Sequence, residues 1–206
     1  MDKAALAPLI ARAQATHSDA LVVRQHDRVV GSWYSDNELT PILTMSCTKS
    51  VVNLAIGALI DDGQVAGLDQ PVCDFYPEWR QGNKRRITIR HLLNHTSGLQ
   101  NHPNAGIELE PSPDWIQLAL AAELSDVPGT RFAYNNKAVN LLAGIVQRAA
   151  RQRLDHYLRD RIFAPLDITA VDWVYDQAGT PYAAGGLSLL ASDLAKIGQL
   201  VLNRGV

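Results

Sequence analysis

Residues 44–50 read Thr44-Met45-Ser46-Cys47-Thr48-Lys49-Ser50, and they open directly onto the apolar-periodic run Val51, Val52, Leu54, Ala55, Ala58 and Leu59. That period is helical, so Ser46 and Lys49, three positions apart, are predicted to share one face of a helix's first turn. The pairing suits nucleophilic catalysis. A serine hydroxyl is a weak nucleophile near neutral pH and needs a base within hydrogen-bond reach, which a lysine can supply if burial and neighbours hold it partly neutral. A helix N-terminus adds free backbone N–H groups and a positive dipole end, both favourable to the oxyanion of acyl transfer. Ser-x-x-Lys nevertheless arises by chance about once in a chain of this length, and a capping serine followed by a solvated lysine is spelled the same way. Other stretches have to decide.

The second informative stretch is Tyr134-Asn135-Asn136, the one Tyr-x-Asn in the chain. A phenol beside a Ser-Lys pair can relay a proton to a leaving group, and a carboxamide can orient both a lysine and a substrate carbonyl. By itself the tripeptide reads more readily as a tyrosine packed ahead of a helix with asparagine as its cap.

Taken together, four segments resemble the serine β-lactamase and penicillin-binding-protein-like superfamily, in its class C β-lactamase, esterase and D-aminopeptidase-like branch. They are residues 45–50, residues 87–99 (Ile87-Thr88-Ile89-Arg90-His91-Leu92-Leu93-Asn94-His95-Thr96-Ser97-Gly98-Leu99), residues 134–136, and Ala184-Gly185-Gly186-Leu187 leading to Ala191-Ser192-Asp193-Leu194. They stand in the family's order and span most of the chain. The resemblance implies an α+β, β-lactamase/transpeptidase-like fold: an antiparallel sheet, incomplete here and represented by an N-terminal hairpin, beside a mainly helical domain. It implies Ser46 as the acylated nucleophile, Lys49 as its base, Tyr134 assisting proton transfer and Asn136 holding the substrate carbonyl, with the Ser46 backbone N–H as one oxyanion donor. The implied substrate is a small acyl compound, an ester, a β-lactam or a D-amino-acid amide or peptide, and no cofactor or metal is implied.

One family element has no counterpart. The third motif, Lys-x-Gly or His-x-Gly on a strand after the last helix, is not found before Val206, so this chain alone is expected to turn substrate over weakly or not at all. The alternative is a non-catalytic remnant or binding module of the same fold. Ser35-Asp36-Asn37 spells a class A element but precedes the nucleophile, whereas that element follows it, and Lys196-Ile197-Gly198 lies in a helical pattern. Both are set aside. His91 and His95 have the i, i+4 spacing of zinc ligands, but Leu92 stands where the zincin pattern needs glutamate.

Composition is that of an ordinary soluble globular protein. The 206 residues are 47% hydrophobic and 19% charged, with a formal net charge of -2, enough for one substantial core or two small ones. Near-neutral charge gives no reason to expect nucleic acid or a membrane surface as partner, and Lys84-Arg85-Arg86 reads as a solvated loop. The first helix has no continuous apolar centre or cleavage site, so the expected location is cytoplasmic, or periplasmic if a signal was removed. Cys47 and Cys73 make no metal pattern and read as free thiols.

In order, the chain predicts a helix over 3–15, a hairpin from the β-branched runs 20–24 and 29–34, a polar turn at 35–37 and the Ser46 helix to about 61. Residues 63–186 read as mainly helical, with a helix-like segment from His91, a long loop over 101–113, and helices from Asp114 to about 124, from about 138 to 150 and from 154 to 162. A last helix within 187–202 is given Ser192 as its cap. The expected organisation joins residues 1–62 with 187–206 as the sheet-bearing part and makes 63–186 the helical part. The unpaired sheet edges predict self-association or a complementing chain.

Overall fold

The computed structural model describes residues 3–205. Helix α1 (Lys3–Ala15) lies on a two-stranded antiparallel ribbon, β1 (Ala20–Gln25) and β2 (Arg28–Tyr34). Gly31 permits this close approach, since a Cβ there would fall 2.4 Å from a Leu6 methyl carbon. The hairpin turn is made by His26 and Asp27 at φ 48° and 61°, both left-handed, the backbone of a type I′ turn built without glycine.

A short strand β3 (Ile42–Leu43) and a 3₁₀ turn over Met45–Cys47 lead into α2 (Thr48–Asp61). Val51, Val52, Ala55, Ile56 and Leu59 form its buried face, as the helical spacing of apolar residues predicts. Helix α3 (Ile89–Leu93) begins two residues before the expected His91, because Thr88 and His91 cap it reciprocally. The Thr88 hydroxyl accepts the His91 N–H and the His91 Nδ1 accepts the Thr88 N–H.

The loop expected over 101–113 contains a helix, α4 (Ala105–Leu109). Five residues do not sustain a helix alone. Here the Asn104 carboxamide caps it at the Gly106 N–H, and Glu108 pairs with Lys137 at 2.6 Å. Asp114 caps α5 (Trp115–Ala121) as expected. That helix ends before residue 124 because Leu124 turns away to pair with Leu99.

Helix α6 (Asn136–Ala150) is the centre of the core, with every residue from Lys137 to Val146 buried. The Tyr76 hydroxyl donates to its Leu141 carbonyl at 2.7 Å, and a Cβ on Gly144 would strike that hydroxyl at 2.2 Å. Helix α7 (Leu154–Leu158) continues into a π turn over Arg159–Phe163 and a 3₁₀ turn over Ala164–Leu166.

The remaining strands, β4 (Val171–Trp173) and β5 (Leu187–Leu189), precede α8 (Ala191–Leu202). With β3 they form a second antiparallel sheet in the order β3-β5-β4. Strands of two and three residues are too short to print an alternating pattern, so nothing in residues 187–189 marks β5 ahead of the helix expected from Ser192. Ser192 is not the cap of α8. Leu190 precedes the helix without a side-chain cap, and Ser192 lies inside the first turn. Lys84 is also less solvated than expected: its ammonium donates to the Leu120 carbonyl and lies 5.7 Å from the Trp79 ring centre. Ser35 to Asn37 form a turn after β2, with the Asn37 carboxamide accepting the Leu39 N–H.

Candidate active site

Ser46 sits on the 3₁₀ turn, one residue after Met45, whose φ is 49°. A left-handed backbone at a non-glycine residue persists only where surroundings hold it, and such positions concentrate at functional sites. The restraints here are hydrogen bonds to β5. Thr44 donates its N–H and its hydroxyl to the Leu187 carbonyl at 2.8 and 2.9 Å. The fully buried Thr48 hydroxyl accepts the Leu187 N–H at 3.2 Å. The nucleophile turn is thereby clamped on both sides to a strand some 140 residues downstream.

Three predicted residues meet at one oxygen. Tyr134 donates its hydroxyl to Ser46 Oγ at 2.7 Å, and Lys49 Nζ lies 3.1 Å from the same atom. Lys49 Nζ also donates to the Ala184 carbonyl at 2.5 Å and stands 4.7 Å from the centre of the Tyr134 ring. Burial lowers the Lys49 pKa, opposed in part by Tyr134. Partial burial works to raise the Tyr134 phenol, but its contacts with Lys49 and Ser46 prevail and leave it below the ordinary tyrosine value. Both shifts run downward, the direction that makes Lys49 a readier base and Tyr134 a readier proton donor.

The fourth predicted residue stands apart. Asn136 makes no hydrogen bond to Ser46, Lys49 or Tyr134, and its Oδ1 is buried without a partner. Asn135, not singled out for a role, is fully engaged: its Oδ1 caps α6 at the Ala138 N–H, and its Nδ2 donates to the Leu99 carbonyl. Thr44, Thr48 and the Ala184 carbonyl were also outside the predicted set. Segment 184–187 carried the resemblance, but nothing in one sequence says which distant residue a threonine hydroxyl or a backbone carbonyl will meet.

The two histidines of the zinc-like spacing each use Nδ1 as an acceptor for a backbone N–H, His91 from Thr88 and His95 from Asn135. Cys47 and Cys73 are free. A groove of about 290 Å³, lined by Lys49, Ser50, Asn53, Asn94 and His95 among others, adjoins the Lys49 side of the site. Among the described residues, no helix is long and apolar enough to cross a membrane.

The family model described as Beta-lactamase matches residues 6–205. The chain belongs to the beta-lactamase family. Among the relatives of this beta-lactamase family chain, the 6-aminohexanoate-dimer hydrolase of Paenarthrobacter ureafaciens is 28% identical, over 95% of this chain and 54% of its own length. Esterase EstB of Burkholderia gladioli is 30% identical, over 68% of this chain and 41% of its own length. The octameric penicillin-binding protein homologue from Pyrococcus abyssi superposes with a TM-score of 0.79 at 23% identity, covering 100% of this chain and 57% of that one. That likeness establishes the β-lactamase/transpeptidase fold. The chain thus spans about half the length of these proteins.

Proposed function

We propose that the chain carries the nucleophile side of a serine hydrolase that works through an acyl-enzyme. The observation that carries the reading is the convergence of Tyr134 O–H and Lys49 Nζ on Ser46 Oγ, at 2.7 and 3.1 Å. In the proposed reaction Ser46 Oγ attacks a substrate carbonyl carbon and its proton passes to neutral Lys49. The carbonyl oxygen becomes an oxyanion facing the Ser46 N–H, with Asn136 assigned to hold the substrate carbonyl. Collapse of the intermediate breaks the bond to the leaving group, which takes a proton from Tyr134; the Lys49 proton restores the phenol. Water, giving its proton to neutral Lys49, then attacks the acyl carbon; the bond to Ser46 Oγ breaks, the carboxylic acid leaves, and the Lys49 proton returns to Oγ.

The substrate class in this reading is an ester, a β-lactam or a D-amino-acid amide or peptide. Relatives named as a 6-aminohexanoate-dimer hydrolase and an esterase support a hydrolase in general rather than one of these substrates. The same reading divides the chain into residues 1–62 with 187–206, bearing Ser46 and Lys49, and residues 63–186, bearing Tyr134 and Asn136. It includes weak turnover by these 206 residues alone, since losing one oxyanion donor costs about 10²–10³ in rate and the third motif is not among them. It also includes association through the free sheet edges, which light scattering measures directly; a strictly monomeric mass would remove that part.

The test is covalent labelling. Incubation with a fluorophosphonate or a chromogenic β-lactam followed by peptide mass mapping is expected to place the adduct on Ser46. Ser46→Ala is expected to abolish it, and undiminished labelling of that variant would overturn the assignment.

A further inference from the structure

His95 stands just past Asn94, the C-cap of α3, and touches Tyr134 of the site. Its ring stacks on the Tyr134 ring with centres 4.3 Å apart and planes 29° from parallel. Its Nδ1 accepts the Asn135 N–H at 3.1 Å, and its carbonyl accepts the Ala133 N–H at 2.8 Å. Phe132 meets the same ring edge-on at 5.9 Å. One residue therefore grips residues 132, 133, 134 and 135 in succession.

The grip is held in a costly backbone conformation. His95 has φ 56°, a left-handed value that non-glycine residues adopt at a cost of about 1–3 kcal/mol unless their surroundings enforce it. The enforcement is local: the next residue, Thr96, accepts the Gly129 N–H at 2.8 Å, and Gly98, at φ 74°, lies so close to the Asp126 carbonyl that a Cβ would come within 2.3 Å. Tyr134 needs such support. It is 45% exposed, on a segment without regular structure, yet its hydroxyl reaches Ser46 at 2.7 Å.

We propose that His95 is a positioning residue for the Ser46 reaction, holding Tyr134 at Ser46 Oγ by ring stacking and by accepting the Asn135 N–H. No proton transfer is assigned to it, because Nδ1 already accepts that N–H. An imidazole that accepts at Nδ1 is neutral, with its proton on Nε2. Burial first, and then the nearby Lys49 charge, keep its pKa below the ordinary histidine value. Two separable features follow: the aromatic face, which phenylalanine retains, and the acceptor in a left-handed backbone, which asparagine retains. The inference rests on the proposed nucleophile role of Ser46.

The experiment is a double-mutant cycle between His95 and Tyr134, read by the rate of fluorophosphonate acylation of Ser46. His95→Phe is expected to slow acylation roughly 10- to 100-fold, the loss for a reacting group displaced by about 1 Å. In a Tyr134→Phe background the same change is expected to alter the rate less than about twofold, because a positioning effect has nothing left to position. His95→Asn is expected to fall between, and it replaces His95→Phe in the cycle should that variant fail to fold. A second reading is independent of turnover: the Tyr134 phenol, isolated by subtracting the Tyr134→Phe titration, should shift upward in the His95 variant as it leaves Lys49 and Ser46. Equal rate losses in both backgrounds, or an unmoved Tyr134 titration, would overturn the proposal. Labelling that survives Ser46→Ala marks failure of the nucleophile assignment instead.

Discussion

Lys49 is the side chain on which the proposed chemistry turns, and its surroundings decide its protonation. Burial lowers its pKa, while the Tyr134 oxygen pulls the other way. A lysine acts as base only when neutral, so acylation of Ser46 should rise with pH through the lowered Lys49 value and level off above it, not wait for the ordinary lysine range. Replacing Lys49 with methionine should remove that limb, and a limb that persists would assign it to another group. Because Lys49 and Tyr134 both reach one oxygen, they should behave as a unit. Lys49→Met and Tyr134→Phe should cost similar factors in acylation rate and the double variant little more. Fully multiplicative losses in single-turnover kinetics would point to independent roles.

Helix α6 shows how one element serves both stability and site. Its N-cap, Asn135, stands between Tyr134 and Asn136, so the start of the central helix and the placement of the phenol are one structural event. The cap accepts the Ala138 N–H at 2.9 Å and is 1% exposed, with its Nδ2 donating to Leu99. Asn135→Ala removes both bonds and should cost about 1–2 kcal/mol in urea unfolding, with an unchanged dependence on denaturant. A cost near zero would show that water replaces the cap. Helix α4 is the opposite case. The ion pair of Glu108 with the 4%-exposed side chain of Lys137 ties it to α6, and its other supports, the Asn104 cap at Gly106 and the Trp115 indole on the Leu109 carbonyl, also come from outside its five residues.

Across the whole molecule, the site exists because segments far apart in sequence are clamped together. Ser46 depends on β5 through Thr44 and Thr48, which both meet Leu187, and on the segment just before that strand through Lys49, which meets the Ala184 carbonyl. Thr48→Val keeps the shape but leaves the Leu187 N–H without its acceptor in a fully buried place. The expected cost is about 1–3 kcal/mol in unfolding free energy, together with slower acylation of Ser46; full stability with full labelling would show the clamp to be idle. By itself the sequence determined the hairpin, a helix from the Ser46 segment to about residue 61, another from about 138 to 150, the cap at Asp114, and three residues of the meeting group. These are carried by local signals: period, capping chemistry and the Ser-x-x-Lys and Tyr-x-Asn spacings. That Ser46 itself lies on a 3₁₀ turn ahead of α2, and that Asn135 caps α6, came from the structure. Only the tertiary structure decided the β3-β5-β4 sheet, helix α4, the start of α3 at Ile89, the uncapped start of α8 and the engagement of His95 with Tyr134. The physical reason is range: a two- or three-residue strand, a five-residue helix or a left-handed histidine is not stable on local terms, and each is held by partners that adjacent residues do not specify.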